Sequence, residues 1–482
     1  MQKAVAQTYT RLLHQKNIQA ANLYLLELSE QFSPQIARLA LDNNHLKNFA
    51  ATKAYACVRV CFAKKSEQLA YEHIKSRTLC FGVEAPIIQK QITLTGALKR
   101  LSDEKWWRAN LYRSCMRQFE STSIRCGLTH SKAGLYISDA SFKAVQSKRI
   151  RNEELLKSLI AVNELGHEFT LANLASLSVS NPVNRRNELM ARLHGFDVTA
   201  KKLNHAGIFS TITCPSRMHA RFKKSGDPNP SYENYDPRMS QAYLCRLWSQ
   251  IRTALSHLNI QIYGFRVAEP QHDGTPHWHL LIYSAPENVS QIKQIISSYA
   301  LNDSPNEPGA SKIRSTHLDI DWSKGTGVGY IAKYISKNVD GMHVEKDLMG
   351  NDAASTAKRV SAWASIQGIR QFQQLGGPTV TSWRELRRIN EAPEGILNNA
   401  REAADAGNWQ LFTEILGGVD CPRKDQKIKL AWSYSDEIGM YAEPKGDSIF
   451  GVTDGLNVLV TRIHTWTINR STKKPSIPSA AG

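Results

Sequence analysis

The chain has 482 residues, 41% of them hydrophobic and 22% charged, with a formal net charge of +18 at pH 7. That composition excludes a chain disordered over most of its length, and no apolar run is long enough to cross a bilayer. The basic surplus favours a polyanionic partner, with nucleic acid the commonest.

The first residues, Met1-Gln2-Lys3-Ala4-Val5, carry no secretory apolar stretch. The eight cysteines are scattered and form no CxxC pair. Cys57 and Cys61 have no matching pair downstream at zinc-finger spacing. Reduced thiols in a cytoplasmic protein are therefore expected.

The length accommodates roughly two to four domains. The first two hundred residues read as mainly helical, for example Ala20 to Gln31 and Asn152 to Val162, where apolar residues recur at three- and four-residue spacing. We divide this part into a helical N-terminal region, 1–95, and a helical basic region, 96–203. In the second, Trp106, Trp107, Arg185 and Arg186 are candidates for nucleic-acid contact, because cations hold phosphates and aromatic rings stack on bases. Core tryptophans under a solvated helical surface are the competing explanation.

The pattern changes near Asn204. Gly207 to Pro215 is a β-branched strand closed by proline, and a polar loop follows. Pro237 to Leu258 reads as an amphipathic helix. Ile260 to Glu269 and Pro276 to Tyr283 read as strands around the turn Gln271-His272-Asp273-Gly274-Thr275. Glu287 to Ala300 is a helix, Lys312 to Asp321 a strand, and Val328 to Asn338 a helix entered through Gly325 and Gly327. Strand, helix, hairpin, helix, strand, helix predicts an α+β fold with a central antiparallel, ferredoxin-like sheet flanked by helices. We assign this unit to 204–345. The remainder, 346–482, reads as mixed and helical, with Ser471 to Gly482 a loose tail.

Three features in the middle unit carry chemistry. In His277-Trp278-His279 the two imidazoles share one face of a strand, which makes half of a divalent-metal site. If Asp273 centres the turn, Glu269 pairs opposite His277 and Val267 opposite His279. The Glu269 carboxylate then joins both imidazoles. Two nitrogens and one carboxylate oxygen, with positions left open, describe a catalytic metal site, and His272 is a weaker candidate. In Tyr330-Ile331-Ala332-Lys333-Tyr334 both phenols share one helix face, with Lys333 and Lys337 nearby and a glycine-rich approach that lets a ligand come close. A phenol attacking a phosphodiester, with the metal on a non-bridging oxygen, uses these residue types. The phenol ordinarily ionises near pH 10, so Lys333 or the metal must assist it. Mg²⁺ or Mn²⁺ suits such chemistry best.

The strand His277-Trp278-His279 followed by the helix Tyr330 to Tyr334 resembles the HUH endonucleases, and within them the replication gene A proteins of temperate phages and prophages. The segments Asn181 to Met190, Phe209 to Ser216, Asp273 to His279, Gly329 to Asn338 and Ser382 to Arg388 all look like that family, and the likeness runs from about Trp106 to Arg388. The resemblance implies an initiator of rolling-circle DNA replication in a bacterial host cell. It would nick single-stranded origin DNA, keep the 5′ end on a tyrosine, leave a 3′ hydroxyl and rejoin the ends. His277 and His279 would be metal ligands, Tyr330 and Tyr334 nucleophiles, and Phe209 to Thr213 the strand beside the metal. Arg185, Arg186, Lys337, Trp106 and Trp107 would touch DNA, with a host helicase and polymerase as partners. The chain is short for such a protein, so an accessory region is expected to be missing. A transposase or relaxase of the same group, or a basic DNA-binding module without nuclease activity, are the alternatives.

Overall fold

The computed structural model describes residues 2–31, 33–89, 91–341 and 352–470. The tail read at Ser471 to Gly482 and the domain boundary read at 345 lie outside them. Helices dominate, and three antiparallel sheets are present among the described residues.

The largest sheet has five strands: β1 (Ala206–Thr213), β2 (Tyr263–Pro270), β3 (Pro276–Ser284), β4 (Ser315–Asp319) and β5 (Phe372–Leu375). Their spatial order is β4-β1-β3-β2-β5, every pair antiparallel. Helix α2 (Pro237–His257) connects β1 to β2, and α3 (Val289–Leu301) lies between β3 and β4. Both cover one face. Helices α1 (Pro182–Lys202) and α4 (Gly327–Val339) cover the other.

The alternation of side chains along β3 explains why both faces are buried. Trp278, Leu280 and Ile282 point one way and pack with Leu247, Trp248 and Ile251 of α2 and Ile292 and Ile296 of α3. Leu281 and Tyr283 point the other way. With Phe265 and Val267 of β2 they pack against Leu193 and Phe196 of α1 and Ile331 and Ile335 of α4. Each such side chain stabilises the fold by about 1.5–3 kcal/mol on burial. The result is a rigid sheet whose second face also carries His277 and His279.

Three expectations are corrected. Asn152 to Val162 is not one helix: Asp139–Lys157 is helical, and Leu159–Asn163 is a strand between Trp466–Arg470 and Glu168–Thr170. Ile160, Ala161 and Val162 mimic a helical stripe only by continuing it. The unit read at 204–345 is too narrow, because β5 completes its sheet from beyond 345 and α1 covers it from before 204. The last part is richer in β-structure than read, with a hairpin of Lys429–Ile438 and Pro444–Thr453 extended by Val458–Val460. The connection of that hairpin returns to the N-terminal half, where Glu443 accepts two hydrogen bonds from Arg100, at 2.9 and 2.6 Å.

Candidate active site

The turn fixes the register on which the site depends. Asp273 is buried, and its carboxylate accepts from the backbone N–H of Thr275 and of Ala220, each at 3.1 Å, with His219 Nδ1 3.2 Å away. Gly274 takes a left-handed φ of 85° that the turn needs. Beyond the turn Glu269 stands opposite His277 and Val267 opposite His279, the register read from the sequence.

Glu269, His277 and His279 therefore converge. Glu269 Oε2 lies 3.4 Å from His277 Nε2 and 3.2 Å from His279 Nε2, and the two nitrogens are 3.2 Å apart. Among the described residues this is the one group of His, Cys, Asp or Glu side chains whose geometry can hold a metal ion. The spacing fits a divalent ion. With bonds of about 2.1 Å, ligand atoms sit about 3.0 Å apart in an octahedron and about 3.4 Å apart in a tetrahedron. Thr211 Oγ1, on β1, is 3.0 Å from His279 Nδ1. That contact engages the far nitrogen and fixes the ring's orientation, so that Nε2 faces the group.

The electrostatics suit the same end. Burial pushes the His279 imidazole down to about 4, with the nearby His277 adding to the shift and Glu269 opposing it. Its ring is neutral, and so able to ligate, at ordinary pH. Burial opposes ionisation of Glu269, but hydrogen bonds from both imidazoles and the Lys337 charge outweigh it and hold the carboxyl well below its usual range.

Helix α4 closes over this group. Its start is held by Asp197 of α1, which accepts from the Val328 N–H at 2.9 Å and from the buried Tyr283 hydroxyl. Gly327 is required there, since a Cβ would collide with the Tyr283 hydroxyl and with Asp197. The close approach that its glycine permits is thus to the protein itself, not to a ligand. Ile331 and Ile335 anchor the middle of α4. At its end Asn338 Nδ2 donates to Glu269 Oε1 at 3.0 Å, and Lys337 Nζ lies 3.0 Å from the same oxygen. Asn338 Oδ1 is buried without a partner among the described residues.

Tyr334 and Tyr330 face the same side. The Tyr334 ring is 3.9 Å from the His279 ring and 5.5 Å from Phe209, centroid to centroid. The Tyr330 ring lies a turn earlier, 6.2 Å from Phe209. Burial raises the Tyr334 phenol above its ordinary pKa, Glu269 adds to this, and Lys337 opposes it.

Several sequence-derived candidates sit elsewhere. Lys333 is exposed, and the ammonium that reaches the group is that of Lys337. Lys337 is in turn 7% exposed and engaged with Glu269, so it offers no free cation to a surface-bound strand. Trp107 is 2% exposed and donates to the Leu101 carbonyl at 2.7 Å, leaving no ring face for a base. Trp106 is half-buried edge-on against it. Arg186 pairs with Asp340 at 2.5 Å, and the Arg185 guanidinium is 5.2 Å from the Phe372 ring. His272 is buried in the turn, outside the metal-ligating group. Asn338, Thr211 and the true place of Lys337 escaped sequence reasoning. The spacing Tyr330, Tyr334, Lys337, Asn338 was the available signal, since all four fall on one helical stripe.

A sequence profile of the bacteriophage replication gene A protein (GPA) family matches residues 38–342. The chain belongs to this family. It is 37% identical over 388 residues to the replication protein of Haemophilus phage HP1, covering 78% of this chain and 49% of the phage protein. To the replication gene A protein of Escherichia phage P2 it is 32% identical over 508 aligned positions, covering 94% of this chain and 65% of that one. A probable replication endonuclease from a prophage-like region of Salmonella paratyphi A is 34% identical, covering 74% of this chain and 47% of the relative. The chain thus spans about half to two thirds of the length of these gene A relatives. No solved structure matches. Among the described residues no helix is long and apolar enough to cross a membrane.

Proposed function

We propose that this gene A family member is a metal-dependent DNA endonuclease of the HUH type that initiates rolling-circle replication. The observation that carries the proposal is the seating of a two-tyrosine helix on a Glu-His-His group, with Tyr334 in ring contact with His279. The strand order β4-β1-β3-β2, with α2 and α3 on the opposite face, supports an HUH core on a ferredoxin-like sheet. The name of the Salmonella relative, a replication endonuclease, points the same way.

In this reading a Tyr334 or Tyr330 phenol oxygen attacks a backbone phosphorus. The bond from phosphorus to the 3′ oxygen breaks, a phosphotyrosine ester to the 5′ side forms, and the phenol proton leaves while the 3′ oxygen gains one. One phosphodiester is exchanged for another, so no nucleotide cofactor is consumed. A divalent cation on Glu269, His277 and His279, Mg²⁺ or Mn²⁺ by preference, would supply charge stabilisation for the phosphate and favour the ionised phenol. The chain's own residues prepare that chemistry. Thr211 orients His279, Lys337 and Asn338 fix Glu269, and Asp197 fixes the start of the tyrosine helix.

In this reading the substrate is single-stranded or melted origin DNA, because a helix-borne tyrosine must reach a phosphate held over a flat sheet, a surface that an unpaired strand follows more readily than a duplex. A host helicase and polymerase would act on the released strand and its 3′ hydroxyl, in the cytoplasm of the bacterial host.

The test is incubation of the protein with end-labelled single-stranded origin DNA and Mg²⁺ or Mn²⁺, followed by a denaturing gel. A band of covalent protein–DNA adduct that chelator abolishes is expected. Undiminished cleavage in chelator, or cleavage without adduct, overturns the reading.

A further inference from the structure

A basic surface lies in the N-terminal half, lined by none of the residues of the Glu-His-His group. The helices Pro34–Leu41, Glu104–Arg125 and Asp139–Lys157, with the start of Asn43–Ala63, enclose a groove of about 790 Å³. Its cations are Lys105, Arg108, Lys143, Lys148 and Arg151, and no described carboxylate lines it. In a chain with 43 acidic residues against 61 basic ones, such segregation is a local feature and not a share of the overall surplus.

The sequence builds this groove directly. On the helix Asp139–Lys157 the lining positions are Ala140, Lys143, Ala144, Ser147, Lys148 and Arg151, an unbroken stripe at three- and four-residue spacing. Lys105, Arg108, Ala109 and Tyr112 make the facing stripe. Alanines at 109, 140 and 144 hollow out the floor, and the lysines and arginines stand at its rim, with Lys105, Arg108, Lys143, Lys148 and Arg151 all exposed. The Lys148 ammonium lies 3.8 Å from the Tyr112 ring centroid, so one rim cation reaches over the aromatic ring.

We infer that this groove binds a single-stranded polynucleotide, phosphates on the rim and bases on the apolar floor. Charge complementarity selects a polyanion, and five unopposed cations fit one carrying a phosphate per residue. The apolar floor selects unstacked bases over a duplex, whose bases are not available for contact. Tyr136 lies over Lys337 beside the Glu-His-His group, and the helix Asp139–Lys157, whose residues line the groove, follows it directly in the chain. The inference deepens the nuclease reading by naming a holding site for the strand, but its test is independent of cleavage.

The experiment is fluorescence anisotropy of a fluorescein-labelled oligothymidylate with the full chain in chelator, so that no cutting intervenes. Lys143→Gln, Lys148→Gln and Arg151→Gln combined are exposed changes compatible with folding. We expect affinity to fall at least tenfold and the slope of log affinity against log salt to flatten by about two, at roughly 0.7 per lost phosphate contact. Ala144→Leu, which fills the floor without adding a stacking ring, should weaken binding without changing charge. Bromodeoxyuridine crosslinks should map to peptides containing Tyr112 or Lys148. Unchanged affinity and salt slope in the triple variant, with crosslinks elsewhere, would overturn the inference. So would a groove that ignores the oligonucleotide but takes a labelled acidic amphipathic peptide, which would assign it to a protein partner. Metal-dependent adduct formation is scored separately, so a failed groove and a failed nuclease are told apart.

Discussion

The Tyr334 ring lies 3.9 Å from the His279 imidazole and at 32° to it, so the aromatic face of α4 rests directly on one arm of the Glu-His-His group. A ring in that position shields one side of His279 from water. The contact also links two elements distant in sequence, the hairpin β2-β3 and the helix after β4.

The group itself is tested by His277→Ala. Two of the three ligand atoms remain, and catalytic metal sites commonly rest on three protein ligands. We expect divalent-metal affinity, read by calorimetry, to fall at least tenfold, and adduct formation to drop below detection. Binding of oligonucleotide in chelator should change less than twofold, because it draws on distributed cations. Normal metal affinity in the variant would remove His277 from the group.

Asp197 tests how the tyrosine helix is positioned. It lies outside the Glu-His-His group, yet it accepts from both the Val328 N–H and the Tyr283 hydroxyl. Asp197→Ala leaves both donors unpaired, costing about 1–3 kcal/mol in stability for each, and frees the start of α4. A displacement of order 1 Å at a nucleophile costs about a hundredfold in rate. Adduct formation should fall by one to two orders of magnitude while metal affinity holds within threefold. Parallel loss of metal affinity would instead mean that the sheet face had collapsed.

Much of this arrangement is legible in the sequence, for identifiable reasons. Glu269, His277 and His279 are found because strand geometry alternates strictly and Asp273-Gly274 marks the turn, so one assumption about register places all three. Tyr330 and Tyr334 follow from helical spacing. Lys333 lies between the tyrosines in sequence, whereas the helix turns Lys337 and Asn338 onto their face. Trp107 misled because a tryptophan beside basic residues looks the same whether it stacks on a base or fills a core. The strand Phe372–Leu375 was missed because two glutamines in four residues give no alternation, and its place is set by pairing with β2. The cationic groove needs two distant helices to meet, which no local pattern reports.

Acid stability should depend on the turn. Burial opposes ionisation of Asp273, but the His219 charge and hydrogen bond, with further donors, hold its carboxyl below the ordinary range. A carboxyl depressed in the folded state contributes stability that is fully present above the unfolded pKa, near 4, and is lost as pH falls through the folded value. Thermal melts from pH 7 down to 3 should show the wild type losing stability below about pH 4 more steeply than Asp273→Asn. At pH 7 the variant should be less stable by about 1–3 kcal/mol, the cost of weakening a buried, charge-assisted network. Parallel curves for the two proteins across that range would show that Asp273 does not couple protonation to folding here.

The two tyrosines should act in alternation. One phenol can cut the strand and hold its 5′ end, but it cannot cut again while esterified. On the rolling-circle reading proposed above, a round of synthesis would end with a regenerated junction to be cut while the first 5′ end waits, which calls for a second nucleophile at the same site. Tyr330 and Tyr334 are one turn apart on α4, about 6 Å along its axis, and both border Phe209. Tyr334 starts in contact with His279, whereas Tyr330 must be brought to the group by a small shift of helix or DNA. Tyr334→Phe should therefore slow the first cut more than Tyr330→Phe does. Each single variant should still form some adduct, mapped by mass spectrometry to the remaining tyrosine, and the double variant should form none. Both single variants should fail to release closed circles over repeated turnover, because the 3′ hydroxyl freed by a second cut is what attacks the first phosphotyrosine. A Tyr330→Phe protein that closes circles at the wild-type rate would reduce Tyr330 to a packing residue and leave one tyrosine to do both cuts.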